Sequence, residues 1–408
     1  MIKWGRFTTW ILIVIIIFGL TFSVGPKLFA KIPLGLDLQG GFDVLYQIGN
    51  GQNITAADLN STISALTNRV NTLGVADPLI EVDNGNRVRV ELAGVFNQTA
   101  ARQFLSAEAN LQFKSASGKV LMTGKDLMNN AAYEPDPTYG YPDVSLQFKN
   151  PALLASVTKT YLGKPMEIWL NGKMIQNATI QSVITNGKAV ISNMPSVQYA
   201  QNLANLLNAG ALPLPLHELS SSSVGPTLGR AALHATLLAG ALAILLIFLF
   251  MLFMYRVAGL VAVIALVAYS LLLLGVFAGF PITLTLTGLA ALVLGIGMAV
   301  DANIITYERI KDELRNGKSL QSSVVAGQRK ALRTILDSNV TTFIAGVVMY
   351  GYGTGSVRGF AVALIASIIV SLITAVFLSR SLLMLLTRSN LVKNPWLYGA
   401  RTKEVAKR

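Results

Sequence analysis

Long apolar runs broken by single charges occupy the two ends of the chain, and a mixed polar pattern fills the middle. Twenty uncharged residues separate Arg6 from Lys27, 25 separate Arg230 from Arg256, and 44 separate Arg256 from Asp301. A membrane helix needs about 20 apolar residues, so the longest gap holds two. Gly279-Phe280-Pro281 supplies the break, since proline does not continue a helix. Asp337 to Arg358 encloses 20 more uncharged residues and Arg358 to Arg380 another 21. Six spans are predicted, near 8–27, 232–254, 257–278, 283–306, 336–352 and 359–379. The first run also has features of a cleaved signal peptide, with Lys3 and Arg6 ahead of it and Ala30 as a cleavage residue. Its length, and the large Leu28 where a small residue is wanted, favour an uncleaved anchor.

Between the first two spans the pattern changes to short alternations. Phe42 to Ile48 predicts a strand, Thr55 to Leu73 a helix capped by Thr55, and Leu79 to Val82 with Arg87 to Leu92 a hairpin around Asn84-Gly85-Asn86. A helix capped by Asn97 runs to about Glu108, and Leu111 to Ser115 is expected as a fourth strand. That β-α-β-β-α-β order is the ferredoxin-like unit. From Gly118 to Asn193 the character shifts. Pro135, Pro137 and Pro142 stand among Tyr133, Tyr139 and Tyr141, followed by short β-like runs with glycine breaks. Such a segment is either a surface for extended peptide or packing for its own subdomain. Ser196 to Ala209 predicts an amphipathic helix and Leu214 to Ser222 a returning strand. The expected fold is thus a polytopic α-helical membrane protein of six helices with a large α+β insert between the first and second. The division is 1–30 (tail and first helix), 31–230 (base about 31–117 and 194–230, head about 118–193), 231–388 (helices two to six) and 389–408 (basic tail).

Charge assigns sides. The N-terminal tail, the Arg256 turn, the loop from Thr306 to Leu336 and the tail from Arg380 hold 17 Lys and Arg against 4 acids. By the positive-inside rule these are cytoplasmic, together with both termini. The insert, with 14 basic and 14 acidic residues, is neutral and lies across the cell membrane. The net charge of +13 is therefore a topology signal, and no nucleic acid is expected as a partner, because its cations are not gathered on one folded face. With no Cys and two His, disulfide frameworks, cysteine nucleophiles and the usual zinc sites are excluded.

Two carboxylates interrupt apolar helices. Asp301 follows the 44 uncharged residues, and an ionisable group there costs several kcal/mol unless it pairs or takes up a proton. Those properties suit a proton carrier. Gly288, Ala291, Gly295, Ala299 and Ala302 form a small-residue stripe for close helix packing, so Asp301 is expected against protein or a wet cavity. The alternative is an Asp near the cytoplasmic end that reaches water, with Glu308 and Arg309 close behind. Asp337 opens the expected fifth span, where an acid at a helix start is favoured by the macrodipole; cap and proton handling both remain open. Arg333 is positioned to neutralise a nearby Asp or to serve as a topology charge.

Taken in order, Gly35-Leu36-Asp37-Leu38-Gln39-Gly40-Gly41, Asn208-Ala209-Gly210-Ala211-Leu212-Pro213 and Ser223-Val224-Gly225-Pro226 flank the insert. Val300-Asp301-Ala302-Asn303, Glu308-Arg309-Ile310, Leu336-Asp337-Ser338-Asn339-Val340-Thr341-Thr342, Gly353-Thr354-Gly355 and Arg358-Gly359-Phe360-Ala361 follow in the helical region. This series resembles the SecD/SecF family of the bacterial protein translocase, within the resistance-nodulation-division superfamily. The resemblance implies an accessory, non-enzymatic subunit without cofactor, driven by the proton gradient. It implies a separate SecF supplying six further helices, association with the SecYEG channel and the SecA motor, and a mobile head that grips emerging preprotein. It also implicates Asp301 in proton passage, and the expected proton-relay site joins to it Asp337 and Arg333 from the reading of the residues. The head looks short, so no gripping residue is carried over.

Three other functions fit parts of the pattern. A small-molecule efflux pump of the same superfamily would also use a proton-carrying Asp, but usually carries two large inserts and twelve helices. An intramembrane aspartyl protease would need its carboxylates about 3 Å apart, and Met298-Ala299-Val300 interrupts the Gly-x-Gly-Asp pattern of that family. A passive chaperone would have no use for the intramembrane Asp.

Overall fold

The computed structural model describes residues 3–49, 54–75, 78–83, 85–95, 97–280, 282–392 and 394–398. Asn84 of the expected hairpin turn, the helix-breaking Pro281 and the basic tail from 399 onward lie outside the described residues. The chain forms two compact units, 41–224 and the combination of 1–40 with 225–408.

The chain opens with α1 (Trp4–Phe29) and a single turn, α2 (Leu36–Gln39). The β-rich unit then begins with β1 (Gly41–Ile48), where Phe42, Val44, Tyr46 and Ile48 all point into the core, as a period of two requires. α3 (Ala56–Thr72) starts at Thr55, whose hydroxyl accepts the Asp58 N–H at 3.2 Å while the Asp58 carboxylate accepts from the Thr55 N–H. β2 (Leu79–Asp83), β3 (Arg87–Ala93) and α4 (Gln98–Ser106) follow, the last capped by Asn97.

The expected fourth strand is not in this sheet. β4 (Leu111–Ser115) pairs with β5 (Val120–Thr123) and with β8 (Pro165–Leu170). β6 (Ala132–Pro135), β7 (Pro142–Gln147) and α5 (Pro151–Thr160) come between β5 and β8. β9 (Lys173–Thr179), β10 (Lys188–Ile191), α6 (Val197–Ala209) and β11 (Leu216–Val224) complete the unit. The first sheet runs β11-β1-β3-β2, with β11 antiparallel to β1 and Val224 opposite Gly41. This is the ferredoxin-like strand order, closed by a strand roughly 100 residues beyond the one expected. Alternation identifies a strand but not its neighbour, and β11 is a mostly exposed, serine-rich edge whose own hydrophobic signal is weak. Two further sheets, β10-β7-β6 and β5-β4-β8-β9, share a core of Phe113, Leu146, Phe148, Ile168 and Leu203.

Arg69 of α3 fastens this insertion. Its guanidinium is fully buried and donates to the carbonyls of Phe104 and Leu105 in α4 at 3.2 and 2.6 Å, and to Gly210 after α6 at 3.0 Å. Burial lowers its pKa from the usual arginine value to about 10.

The other unit continues with α7 (Pro226–Gly279), α8 (Leu286–Arg315), α9 (Leu320–Tyr352), α10 (Ser356–Ile373), a π-helical turn Thr374–Ser379 and α11 (Arg380–Arg388). Among the described residues four helical stretches are long and apolar enough to cross a membrane: α1, α7, α8 and Ser356–Arg388. α7 is broken at Arg256, where φ 49° and ψ −112° leave the helical region. The stretch expected as the fifth span lies in α9, where Asp337, Ser338, Asn339, Thr341 and Thr342 dilute its apolar run. The glycine motifs on either side of the insert meet. Gly40 has φ 81°, and a Cβ on it would stand 2.7 Å from the Cα of Pro226; one on Gly229 would stand 2.8 Å from the Gly40 nitrogen. Only glycine permits backbones to pass this closely.

Candidate functional site

α8 is the element that positions Asp301. It begins at Thr285, whose hydroxyl accepts the Gly288 N–H at 3.0 Å. The small-residue stripe Gly288, Ala291, Gly295, Ala299 and Ala302 is its buried face, as expected. A Cβ at Gly295 would meet both Ser367 of α10 and the Tyr269 hydroxyl of α7 at 2.6 Å, so three helices converge there. Asp301, like Gly297, is turned off this face and is exposed on this chain. Among the described residues it has no hydrogen bond or ion pair.

Ala302 clusters with Ala331 and Ile335, which brings the Asp301 turn of α8 against the α9 segment carrying Arg333 and Asp337. Both of those side chains are exposed and make no ion pair with Asp301 among the described residues. Asp337 does not open a helix. α9 starts at Leu320, with Ser319 as its cap, so Asp337 stands in mid-helix and a capping role is removed. The charged segment before it, read from sequence as loop, is itself helical.

Behind Asp301 lies a polar seam that sequence reasoning missed. Asn303 is buried, donates to the Ala299 carbonyl at 3.1 Å and accepts from the Ser379 hydroxyl at 2.5 Å. Ser379 ends the π-helical turn, a geometry that recurs at functional positions in helices. The buried Tyr307 hydroxyl and Gln328 side-chain oxygen make no well-formed hydrogen bond among the described residues, although the Tyr307 hydroxyl lies beside Ser379. Both residues line, with Ser379, a cavity of about 20 Å³, enough for one water molecule. Asn303 had a detectable signal, a polar amide in an apolar helix. Gln328 and the π turn had none. Glu308 accepts from the Tyr255 hydroxyl and from Lys311, each at 2.8 Å, and so ties α8 to α7 beside the Arg256 break.

Of the aromatic residues singled out in the insert, Tyr133 packs against the core of the second and third sheets, whereas Tyr139 and Tyr141 are exposed with ring centroids 6.1 Å apart.

The family model for the C-terminal part of SecD/SecF protein export membrane proteins matches residues 212–389, and that for the SecDF P1 head subdomain matches 83–214. The protein translocase subunit SecD of Alicyclobacillus acidocaldarius is 49% identical over 98% of this chain and 97% of its own length. The chain belongs to the SecD family. Bacillus subtilis SecDF is 44% identical over 90% of the chain, which spans 53% of that protein. A crystal structure of SecDF from Thermus, described as a translocon-associated membrane protein, matches with a TM-score of 0.64 and 33% identity over 96% of this chain. The chain spans 60% of that SecDF chain. Membership of the SecD family, with the apolar helices, makes this a membrane protein of the protein export machinery.

Proposed function

We propose that this chain works as a non-enzymatic, proton-driven SecD subunit. It pairs with SecF, associates with SecYEG and takes over preprotein after the step driven by SecA. The observation that carries this reading is Asp301, a carboxylate on the exposed face of an apolar helix with no partner among the described residues of its own chain. In a bilayer such a group needs a proton or a residue from a second protein. Alternation between those two states is a switch that a proton gradient can drive. The Asn303–Ser379 bond fixes the rotation of α8 and keeps Asp301 turned outward. Asp337 and Arg333, on the adjoining helix, tune its charge.

In this reading α7 crosses the membrane twice, α9 once in its second half, and six spans result. The neutral β-rich unit is extracytoplasmic and both termini are cytoplasmic. The unit carries a groove of about 480 Å³ between α3, α4 and α6, floored by Val95, Phe104, Leu203 and Leu206, which suits an extended apolar segment of preprotein.

One charge crossing ~100 mV releases about 2.3 kcal/mol, enough to shift a two-state equilibrium roughly fiftyfold. Asp301→Asn keeps shape and removes titration. In vesicles containing the whole translocase, it should abolish the gradient-dependent part of preprotein export while membrane insertion and SecF association persist. Normal gradient-dependent completion would reject the role of Asp301.

A further inference from the structure

A groove of about 520 Å³ runs between the first turns of α9 and the end of α11. Arg329, Lys330 and Arg388 line it, Val324, Val325 and Met384 form its apolar part, and none of its ten lining residues is acidic. Lys330 is held by Glu313, whose carboxylate also binds Lys318. Arg329 and Arg388 have no carboxylate partner among the described residues, and Arg6 adds a third cation, donating to the Arg388 carbonyl at 3.5 Å.

The position of the groove along the helices says what it meets. The Lys3 N–H bonds the Ser389 carbonyl at 2.9 Å, so the exposed Trp4 stands level with the end of α11. On the neighbouring helix break, Arg256 stacks 3.8 Å from the ring of the exposed Trp396. Tryptophans and arginines paired in this way mark the boundary between hydrocarbon and headgroups. Gln321 bonds Asn390 and Gln328 bonds the Arg380 carbonyl, so Arg329 on the bilayer side and Arg388 on the outer side bracket the apolar Val325 and Met384, an arrangement complementary to a lipid phosphodiester at that level. The chain's own tail is a poor occupant, because residues 399–408 hold four cations and one acid.

We propose that this groove binds the headgroup of an acidic phospholipid, its phosphate held between Arg329 and Arg388 over Val325 and Met384. The site rests on the helices being in a membrane and is independent of proton coupling at Asp301.

The test is native mass spectrometry of the full chain in detergent with equimolar dioleoyl phosphatidylglycerol and dioleoyl phosphatidylcholine. Phosphatidylglycerol should be retained preferentially. Each cation near an anionic headgroup contributes roughly fivefold, so Arg329→Gln with Arg388→Gln should lower that retention about 25-fold and leave phosphatidylcholine unchanged. Arg309→Gln with Arg315→Gln, an equal charge loss outside the lining of the groove, should leave it intact. Photoactivatable phosphatidylglycerol on the unaltered protein should crosslink within 321–330 and 384–388, which tests the site even where the variant is unstable. Equal retention of the two lipids, equal loss in both double variants, crosslinks elsewhere, or displacement by inorganic phosphate alone would each overturn the proposal.

Discussion

The Ser379 hydroxyl donates to the Asn303 side-chain oxygen at 2.5 Å, joining the π-helical turn to α8 two residues past Asp301. Both residues are buried, so removing the donor leaves the Asn303 oxygen unpaired. Polar pairs between membrane helices contribute about 0.6 to 2 kcal/mol. Ser379→Ala should therefore lower the unfolding free energy by about 1 kcal/mol in a mixed-micelle denaturation series. A change within error would mean that the bond is replaced by another donor.

Tyr307 predicts the opposite sign. Its buried hydroxyl makes no well-formed hydrogen bond among the described residues, and removing such a group while keeping the ring is neutral or stabilising. Tyr307→Phe should change stability by between zero and about +1 kcal/mol in the same series. A clear loss would show that the hydroxyl is bonded, to Ser379 or through water in the adjoining cavity.

Gly40 tolerates no side chain. The positive φ and the approach of Pro226 act together, so Gly40→Ala should cost about 2 to 4 kcal/mol, read as lost protease resistance of the full-length protein in membranes. Gly74→Ala, with positive φ and open space, is the matched control and should cost about 1 kcal/mol.

Sidedness is directly measurable because the chain has no native Cys. Ser145→Cys in β7 should react with an impermeant thiol reagent in intact cells, and Ser319→Cys at the start of α9 should not. Labelling of Ser319→Cys would sink the six-span arrangement.

Caps and faces were legible from sequence because they are local. Thr55 and Asn97 cap the helices expected of them, the amphipathic helix expected from Ser196 forms, and the stripe from Gly288 to Ala302 is the buried face of α8. What was illegible depends on distant partners. Leu111 to Ser115 alternates as a strand of either sheet would, and only the folded chain places it beside Pro165–Leu170. The start of α9 was hidden because its polar first half reads as a charged loop, although Ser319 is a sound cap. The outward turn of Asp301 follows from the 100° step per residue that separates it from the buried stripe. Its place beside the Arg333 segment came only from the packing of Ala302 on Ile335.

The pairing of Gly41 with Val224 sets an order of assembly. β1 already has β3 within about 50 residues, but its other edge stays open until β11 has been made. The sheets between have nearer partners, such as β4 with β5 and β8 with β9, and closing short loops costs less entropy and less time. As the chain emerges, the inserted lobe therefore matures first and the sheet that carries it last, and until then β1 presents a row of unpaired amides to whatever lies alongside.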